Sequence, residues 1–409
     1  MRILISGASI AGPALAYWLG HAGHDVTVVE LAPVLRRGGY AVDIRGPALA
    51  VIERMGLREV CRGLETDTRY NEIVDARGRR FGRMKRGFGV IDPGDVEIHR
   101  GDLAGVFYDA TRDIASYRFG DSILALDDAA AQGGDRVDVA FASGAVGTFD
   151  LVIGADGVHS RTRELAFGPE ANFVRELGLA MAIFSAPNDY GLDREQLLYS
   201  AIGRVASVKT AAGNATVKLS TFFSVEPGTF AQRSIDEQRE LAARAFADAG
   251  WEFPRLVEAI ATADDFYADV TCQVRMDAFV RGRVALVGDA AYCPSPLSGQ
   301  GTSLAIVGAY VLAAELRGGD VAGALAAYQR RMLPFARANQ DVALELAKGF
   351  MPHSGFGVWM RNLMMRTLPY MPWSSLVMKL AMRGVRRAAH GLELDALPAP
   401  VSTALATAA

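Results

Sequence analysis

Gly7, Ser9, Ile10, Ala11 and Gly12 form a Gly-x-Ser-x-x-Gly run directly after the apolar stretch Arg2 to Ser6, and Glu30 follows about 20 residues on. This pattern suits the binding of a pyrophosphate. Small residues let backbone N–H groups approach the anion, and the dipole of a helix starting there favours negative charge. An acid closing the next strand can accept hydrogen bonds from ribose hydroxyls. Ser9 takes the place of the usual middle glycine: its Cβ narrows the closest approach, while its hydroxyl can donate to a phosphate.

The elements that must hold this run are legible around it. Arg2 to Ser6 has the unbroken apolar character of a buried parallel strand, Ala11 to His21 carries apolar residues at helical spacing, and Val26 to Val29 reads as a second strand. Two further strand–turn–helix units follow the same logic. In one, the apolar run from Leu151 ends in Gly154-Ala-Asp156-Gly157, and Ser160, Arg161 and Arg163 open a helix. In the other, a strand ends at Gly288-Asp289, a loop containing Pro296 follows, and Gly299-Gln-Gly301 opens an apolar helix whose amides face the crevice.

Composition narrows the function classes. The chain has 409 residues, half of them hydrophobic, with a formal net charge of −3, which supports a large core and gives no sign of a nucleic-acid partner. Cys61, Cys272 and Cys293 lie too far apart for a pair motif, and six histidines without HExxH spacing predict no metal. A strand beginning at residue 2 leaves no room for a signal peptide, and the longest apolar helix candidate, Thr302 to Leu316, falls short of the ~18 residues of a membrane span. The expectation is a cytoplasmic protein with no integral membrane segment, monomeric or homodimeric.

Several stretches admit two readings. Arg36 and Arg37 form a solvated basic pair or sit near a nucleotide phosphate; Asp43 and Arg45 lie in the same loop, which would pass over a cofactor at the strand ends. The spacing predicts a helix from Pro47 to about Met55, short strands with turns near residues 76–78 and 93–94, a helix capped by Asp102 and a meander from Ser116 to Phe149. Arg100, between a strand end and a helix start, is a salt-bridge partner or an anion contact. Residues 170 to 275 read as an inserted antiparallel sheet with strands Leu179 to Ser185, Leu197 to Ser207 and Thr216 to Val225, and helices near 235–249 and 252–263. Residues 350 to 382, rich in Met, Trp and Phe and interrupted by Arg361, Arg366 and Lys379, are helices covering the core, or else a membrane-surface or dimer face. The Ala/Thr tail after Pro398 is of low complexity.

Three motifs in this order make the chain resemble the class A FAD-dependent monooxygenases of the para-hydroxybenzoate hydroxylase fold, and within them the tetracycline-degrading and polyketide-modifying hydroxylases, over roughly residues 1 to 390. The resemblance implies an α/β fold: a Rossmann-like FAD-binding domain (1–169 plus 276–348), an inserted β-sheet substrate domain (170–275), C-terminal helices (349–390) and a tail (391–409). It assigns Gly7, Ser9, Ile10, Ala11, Gly12 and Glu30 to the ADP half of FAD, Asp156 to the second signature, Asp289 to the ribityl chain, and Pro296, Gly299 and Gly301 to the loop along the isoalloxazine. Arg100 and Asp43, with Arg45 beside it, fall at flavin-contacting places, and Arg36 near a position linked to NADPH. Tyr292 stands where the family usually has histidine, which would alter hydrogen bonding near the flavin.

The implied activity is hydroxylation of an aromatic or polyketide-like molecule with NADPH (or NADH) and O₂ through a C4a-hydroperoxyflavin, with no residue required as catalytic base. A prenyl-type reductase or epoxidase and a redox-silent FAD protein remain alternatives; a flavin halogenase does not, because none of the four tryptophans supplies its Trp-x-Trp-x-Ile-Pro element. Substrate contacts are expected from the inserted sheet, with Phe222 and Phe223 as candidates, unless they and Phe184 and Tyr199 simply build its core.

Overall fold

The computed structural model describes residues 1–36, 39–66, 68–85, 94–128, 134–211, 213, 215–395 and 397. Its central sheet has six strands in the order Val280–Arg281, Val284–Leu286, Leu151–Gly154, Arg2–Ser6, Asp25–Glu30 and Ser116–Phe119. All neighbours run parallel except the Val280–Arg281 edge. The three strands carrying the glycine motifs (Arg2–Ser6, Leu151–Gly154 and Val284–Leu286) are therefore adjacent, so their carboxyl ends open on one crevice. Helices Ala11–His21 and Gly301–Leu316 pack against each other over this sheet. The Gly301–Leu316 helix has thirteen buried residues, which explains why its sequence is apolar on every side.

Two expectations in this half need correction. Ser116–Phe119 pairs with Asp25–Glu30 and extends the parallel sheet; only Ile123–Asp128, Val137–Phe141 and Val146–Phe149 form the meander. With three residues between Phe119 and Ile123, local patterning cannot distinguish a hairpin partner from a strand that leaves for another sheet. Asp102 is not a cap: the helix runs Arg100–Asp109 with His99 before it, and Asp102 lies in its first turn. Pro93 of the expected turn lies outside the described residues.

The second sheet has seven strands, ordered Tyr267–Val274, Val174–Pro187, Thr216–Ser224, Arg204–Ala211, Glu195–Ala201, Tyr70–Val74 and Arg80–Lys85. It is larger than expected from residues 170 to 275. The stretch Leu197 to Ser207 is a hairpin turning at Ile202-Gly203, where Gly203 has φ +69, and Tyr267–Val274 adds an unexpected edge. The other two strands come from residues 70 to 85, joined through a parallel pairing of Tyr70–Val74 with Glu195–Ala201. One face of the sheet is closed by helices Ile235–Phe246 and Phe253–Thr262. The first of these starts with a capping box, Ser234 exchanging hydrogen bonds with Glu237.

Beyond the 30-residue helix Val321–Phe350, the helices Gly355–Thr367, Ser374–Ala381 and Arg383–Ala389 follow. The first packs on the edge strand Arg80–Lys85, where a Cβ on Gly82 would stand 2.5 Å from the Met365 carbonyl oxygen. It buries none of its own residues. The expectation that this segment covers the core does not hold for its apolar stripe.

Candidate active site

The first glycine turn is defined by steric limits. Gly7, at φ +108, donates its N–H to Val29 O at 2.7 Å, and a Cβ there would lie 2.4 Å from Ala155 O. A Cβ on Gly12 would lie 1.9 Å from Gly7 O, so the Ala11–His21 helix can seat its first turn on the strand end only without a side chain at 12. Ile10 precedes that helix without a side-chain cap, so no side chain competes for the helix's leading amides. Glu30 spans the turn: one carboxylate oxygen accepts from Ala8 N and the other from Ala32 N, each at 2.9 Å.

Ser9 is matched to Arg100. The guanidinium donates to Ser9 Oγ at 2.9 Å, which leaves the serine O–H free to donate toward a phosphate. The backbone N–H of Arg100 is held by Tyr40 O at 3.0 Å, and a Cβ on Gly39 would meet the Arg100 side chain at 3.3 Å. Burial pushes the Tyr40 phenol up to about 12, against the pull of Arg100.

At the other end of the crevice the loop and the third motif converge. Asp43 accepts from Arg45 at 2.7 Å, and Ser303 links both, accepting from Arg45 N at 3.0 Å. A Cβ on Gly299 would stand 3.7 Å from the Asp43 carboxylate and 3.8 Å from the Arg45 guanidinium; one on Gly301 would stand 3.6 Å from Asp289 Oδ1. Burial raises the Asp289 carboxyl pKa, with Arg100 opposing. Ser295, just before the Pro296–Ser298 turn, is held at φ +87, a conformation costing about 1–3 kcal/mol in a non-glycine residue. Gln300, between the two glycines, is buried with no hydrogen-bond partner for its Nε2, and Arg45 Nε makes no hydrogen bond, only an ion pair with Asp95 at 3.9 Å. The Gln300 amide was not singled out from sequence, although a polar side chain between two glycines at a helix start was the available signal. Unsatisfied donors, glycine-lined walls and an acid along one crevice fit FAD; the leading amides of the Ala11–His21 helix would hold its pyrophosphate and the Gly299–Gly301 loop would border its ring.

Asp156 is held by partners from two motifs. Its carboxylate accepts from Ser160 Oγ at 2.5 Å, Thr162 N at 2.9 Å, Thr162 Oγ1 at 2.8 Å and Ser6 Oγ at 3.4 Å, so it ties the second motif to the first strand. Fully buried Arg163 extends this to the third motif, donating to Ala290 O, Val158 O and Glu170. Nearby, hydrogen bonds to Asp269 and Glu170 raise the His159 imidazole to about 10, so its cation pins the edge strand Tyr267–Val274 to the nucleotide domain. Arg36 is exposed, and Arg37 lies outside the described residues.

Tyr292 turns away from the crevice. Its hydroxyl lies 3.1 Å from that of Tyr328, its ring packs edge-on against Phe279, and a Cβ on Gly308 would stand 1.9 Å from the Tyr292 oxygen. The departure at 292 is thus a matter of core packing, complemented by a glycine in the facing helix, rather than of hydrogen bonding near the flavin. Gly308→Ala is expected to destabilise the protein by about 1–3 kcal/mol, and Tyr292→Phe to restore part of that loss. Thermal unfolding of both single variants and the double variant measures this; additive effects would show that the two residues do not compete for space.

The sheet presents one face to this crevice. Phe222 is half-buried with Leu297, Phe350, Leu179, Val205 and Met351, and meets the Phe350 ring at 5.1 Å. Phe223, 4% exposed, packs on the opposite face against Phe230 and Phe246, as Phe184 and Tyr199 do within the helix-covered core. The substrate expectation for Phe223 is therefore corrected: adjacent strand residues point to opposite faces, and only one face meets the Pro296 loop.

The comparisons with known proteins agree with this geometry. A family model described as a FAD binding domain matches residues 1–343. A flavin-dependent monooxygenase from an unknown prokaryotic organism is 38% identical over 352 residues, covering 86% of this chain and 90% of that one. Another, from Legionella longbeachae, is 34% identical over 354 residues with the same coverage. The crystal structure of tetracycline destructase Tet(55) superposes with a TM-score of 0.82 at 35% identity, over 96% of this chain and 97% of that one. Three glycine motifs on adjacent parallel strands, a crevice that fits FAD and similarity along nearly the whole chain lead to one assignment: this chain belongs to the class A FAD-dependent monooxygenases.

Proposed function

We propose that this enzyme uses NAD(P)H and O₂ to hydroxylate a bulky aromatic, polyketide-like phenol held between the seven-stranded sheet and the flavin loop. The observation that carries the reading is that Phe222 and Leu297 pack on one apolar cluster of Leu179, Val205 and Met351, which brings an aromatic wall of the sheet to the turn Pro296–Ser298. The same sheet face changes character along its width. Asn71 and Gln196 are register partners at its far side; Gln196 donates to Ser207 Oγ at 2.6 Å, and Asn71 Oδ1 is buried without a partner. The Lys209–Glu97 ion pair joins this side to the nucleotide domain. An apolar wall with a few placed polar groups suits a polycyclic phenol, whose hydroxyl can donate to Asn71. The similarity to tetracycline destructases supports a substrate of that size.

Bound FAD, reduced by the nicotinamide, supplies the oxygen activation. The chain's own residues hold and orient: Glu30, Ser9 and Arg100 at the nucleotide end, Asp289 at the ribityl chain, Gln300 toward the ring, and Phe222 against the substrate. The phenol's own electron density provides the reactivity, so no side chain is assigned as base. Exposed Arg36, in the loop after Asp25–Glu30, is the candidate for a 2′-phosphate and thus for NADPH over NADH.

The test compares Phe222→Ala with Phe223→Ala, following product and NADPH consumption with a panel of phenols. Phe222→Ala is expected to raise substrate KM about tenfold or more, or to divert NADPH into peroxide, with FAD retained. Phe223→Ala is expected to lower stability by about 3–5 kcal/mol while coupling is preserved in the folded fraction. If no phenol stimulates NADPH oxidation by the wild-type enzyme, the substrate reading fails.

A further inference from the structure

We propose that the outward faces of helices Gly355–Thr367 and Ser374–Ala381 dock on an anionic lipid surface. The first helix carries Phe356, Trp359, Met360, Leu363 and Met364 at i, i+3, i+4, i+7 and i+8, the spacing that elsewhere in a globular protein marks a core-facing stripe. Here the stripe faces out: all five are exposed, Trp359 by 56%. Trp373, at the start of the second helix, with Leu376, Val377 and Leu380 repeats the pattern at i, i+3, i+4 and i+7, with Trp373 57% exposed. Ten of the nineteen exposed large hydrophobic side chains among the described residues fall between Phe356 and Leu380. Such a concentration marks an interaction surface rather than the scattered exposure of an ordinary surface.

Charge selects the partner. From residue 350 to 390 there is no Asp or Glu, but there are six Arg and Lys, in a chain of formal net charge −3. Lys379, Arg383 and Arg387 are exposed on or just beyond the second helix. A second copy of this chain, meeting the patch face to face, would bring cation against cation. An anionic bilayer offers both complements at once: phosphate for the cations, and an interfacial zone suited to tryptophan and leucine. No helix of the described residues is long and apolar enough to cross a membrane, so the contact lies in the plane of the surface.

The patch is mechanically close to the catalytic cleft. Gly355–Thr367 packs on strands Arg80–Lys85 and Glu195–Ala201 of the substrate sheet. Arg361 donates to Phe350 O at 2.8 Å, and Phe350 is the ring against Phe222. A docked enzyme would thus hold the apolar wall of its cleft beside the bilayer, where an apolar aromatic substrate partitions.

Flotation of the FAD-loaded, full-length protein with vesicles tests the docking without depending on turnover or on the identity of the substrate. Vesicles of equimolar phosphatidylcholine and phosphatidylglycerol are expected to carry the protein upward, and pure phosphatidylcholine to carry much less. Each of Lys379→Gln, Arg383→Gln and Arg387→Gln is expected to weaken vesicle affinity about fivefold. Trp359→Ser with Trp373→Ser is expected to abolish flotation while the flavin absorbance is unchanged. Absence of wild-type binding to the anionic vesicles, or binding insensitive to both sets of changes, overturns the proposal. So does a dimer in sedimentation that Trp373→Glu dissociates, because the face would then belong to self-association.

Discussion

Asp289→Ala is expected to fold and to lose FAD. The carboxylate stands 3.6 Å from the Cβ position of Gly301, with Arg100 and Cys293 acting on it, and is proposed as the acceptor for the ribityl hydroxyls. A hydrogen bond to a charged acceptor is worth about 1.5–3 kcal/mol, so the dissociation constant of FAD should rise by roughly 10- to 150-fold. Stability of the apoprotein should move the other way or not at all. Burial already raises the pKa of this carboxyl, which means that the folded apoprotein tolerates its charge at a cost. The sign is consistent: a carboxyl whose folded pKa is raised destabilises the fold once pH exceeds its unfolded value, and alanine removes that penalty. Fluorescence titration of apoprotein with FAD, beside thermal unfolding without it, separates the two effects. Unchanged FAD affinity, or lost FAD with an equally lowered apo Tm, would remove Asp289 from the cofactor site.

Gly12→Ala should damage the fold itself. The added Cβ would meet the Gly7 carbonyl oxygen at 1.9 Å, and this neighbour is backbone in a turn that is itself wedged against Ala155 O. Neither side can yield without moving the Ala11–His21 helix from the strand end. A cost of at least about 3 kcal/mol is expected, at the upper end of overpacking effects, with FAD binding lost because the leading amides shift. Ser9→Gly is the contrasting control: it removes an acceptor of Arg100 and adds no atom to the turn. Urea unfolding of the apoproteins measures the difference. A Gly12→Ala protein as stable as wild type would show that the turn relaxes by a route that the close contact does not suggest.

The three nucleotide-facing units were legible in the sequence because each is local. A strand end, a positive-φ glycine such as Gly7 or Gly288, and a helix start are short-range backbone requirements that few residue types meet. The three motif strands also lie in the sheet in their chain order, so Arg2–Ser6, Leu151–Gly154 and Val284–Leu286 end on one crevice. Side-chain partnerships between distant segments were not legible. Nothing in the sequence signals that Ser6, Ser160 and Thr162 all donate to Asp156. Tyr292 stands in a motif position, yet Tyr328 and the missing side chain of Gly308 decide where it points.

Sheet assembly lay further beyond the sequence. Alternation in Thr216–Ser224 established that Phe222 and Phe223 face opposite ways. Which of them meets the flavin loop was decided only when Ile235–Phe246 and Phe253–Thr262 covered the Phe223 side. The parallel pairing of Tyr70–Val74 with Glu195–Ala201 joins residues more than a hundred positions apart, and no local pattern encodes a backbone ladder of that separation. For the C-terminal helices the stripe itself was local, and a helical stripe of Phe, Trp, Leu and Met has the same spacing whether it packs inward or outward. The tertiary structure decided its direction: the opposite side of Gly355–Thr367 is taken up by strand Arg80–Lys85, which leaves Trp359 and its neighbours at the surface.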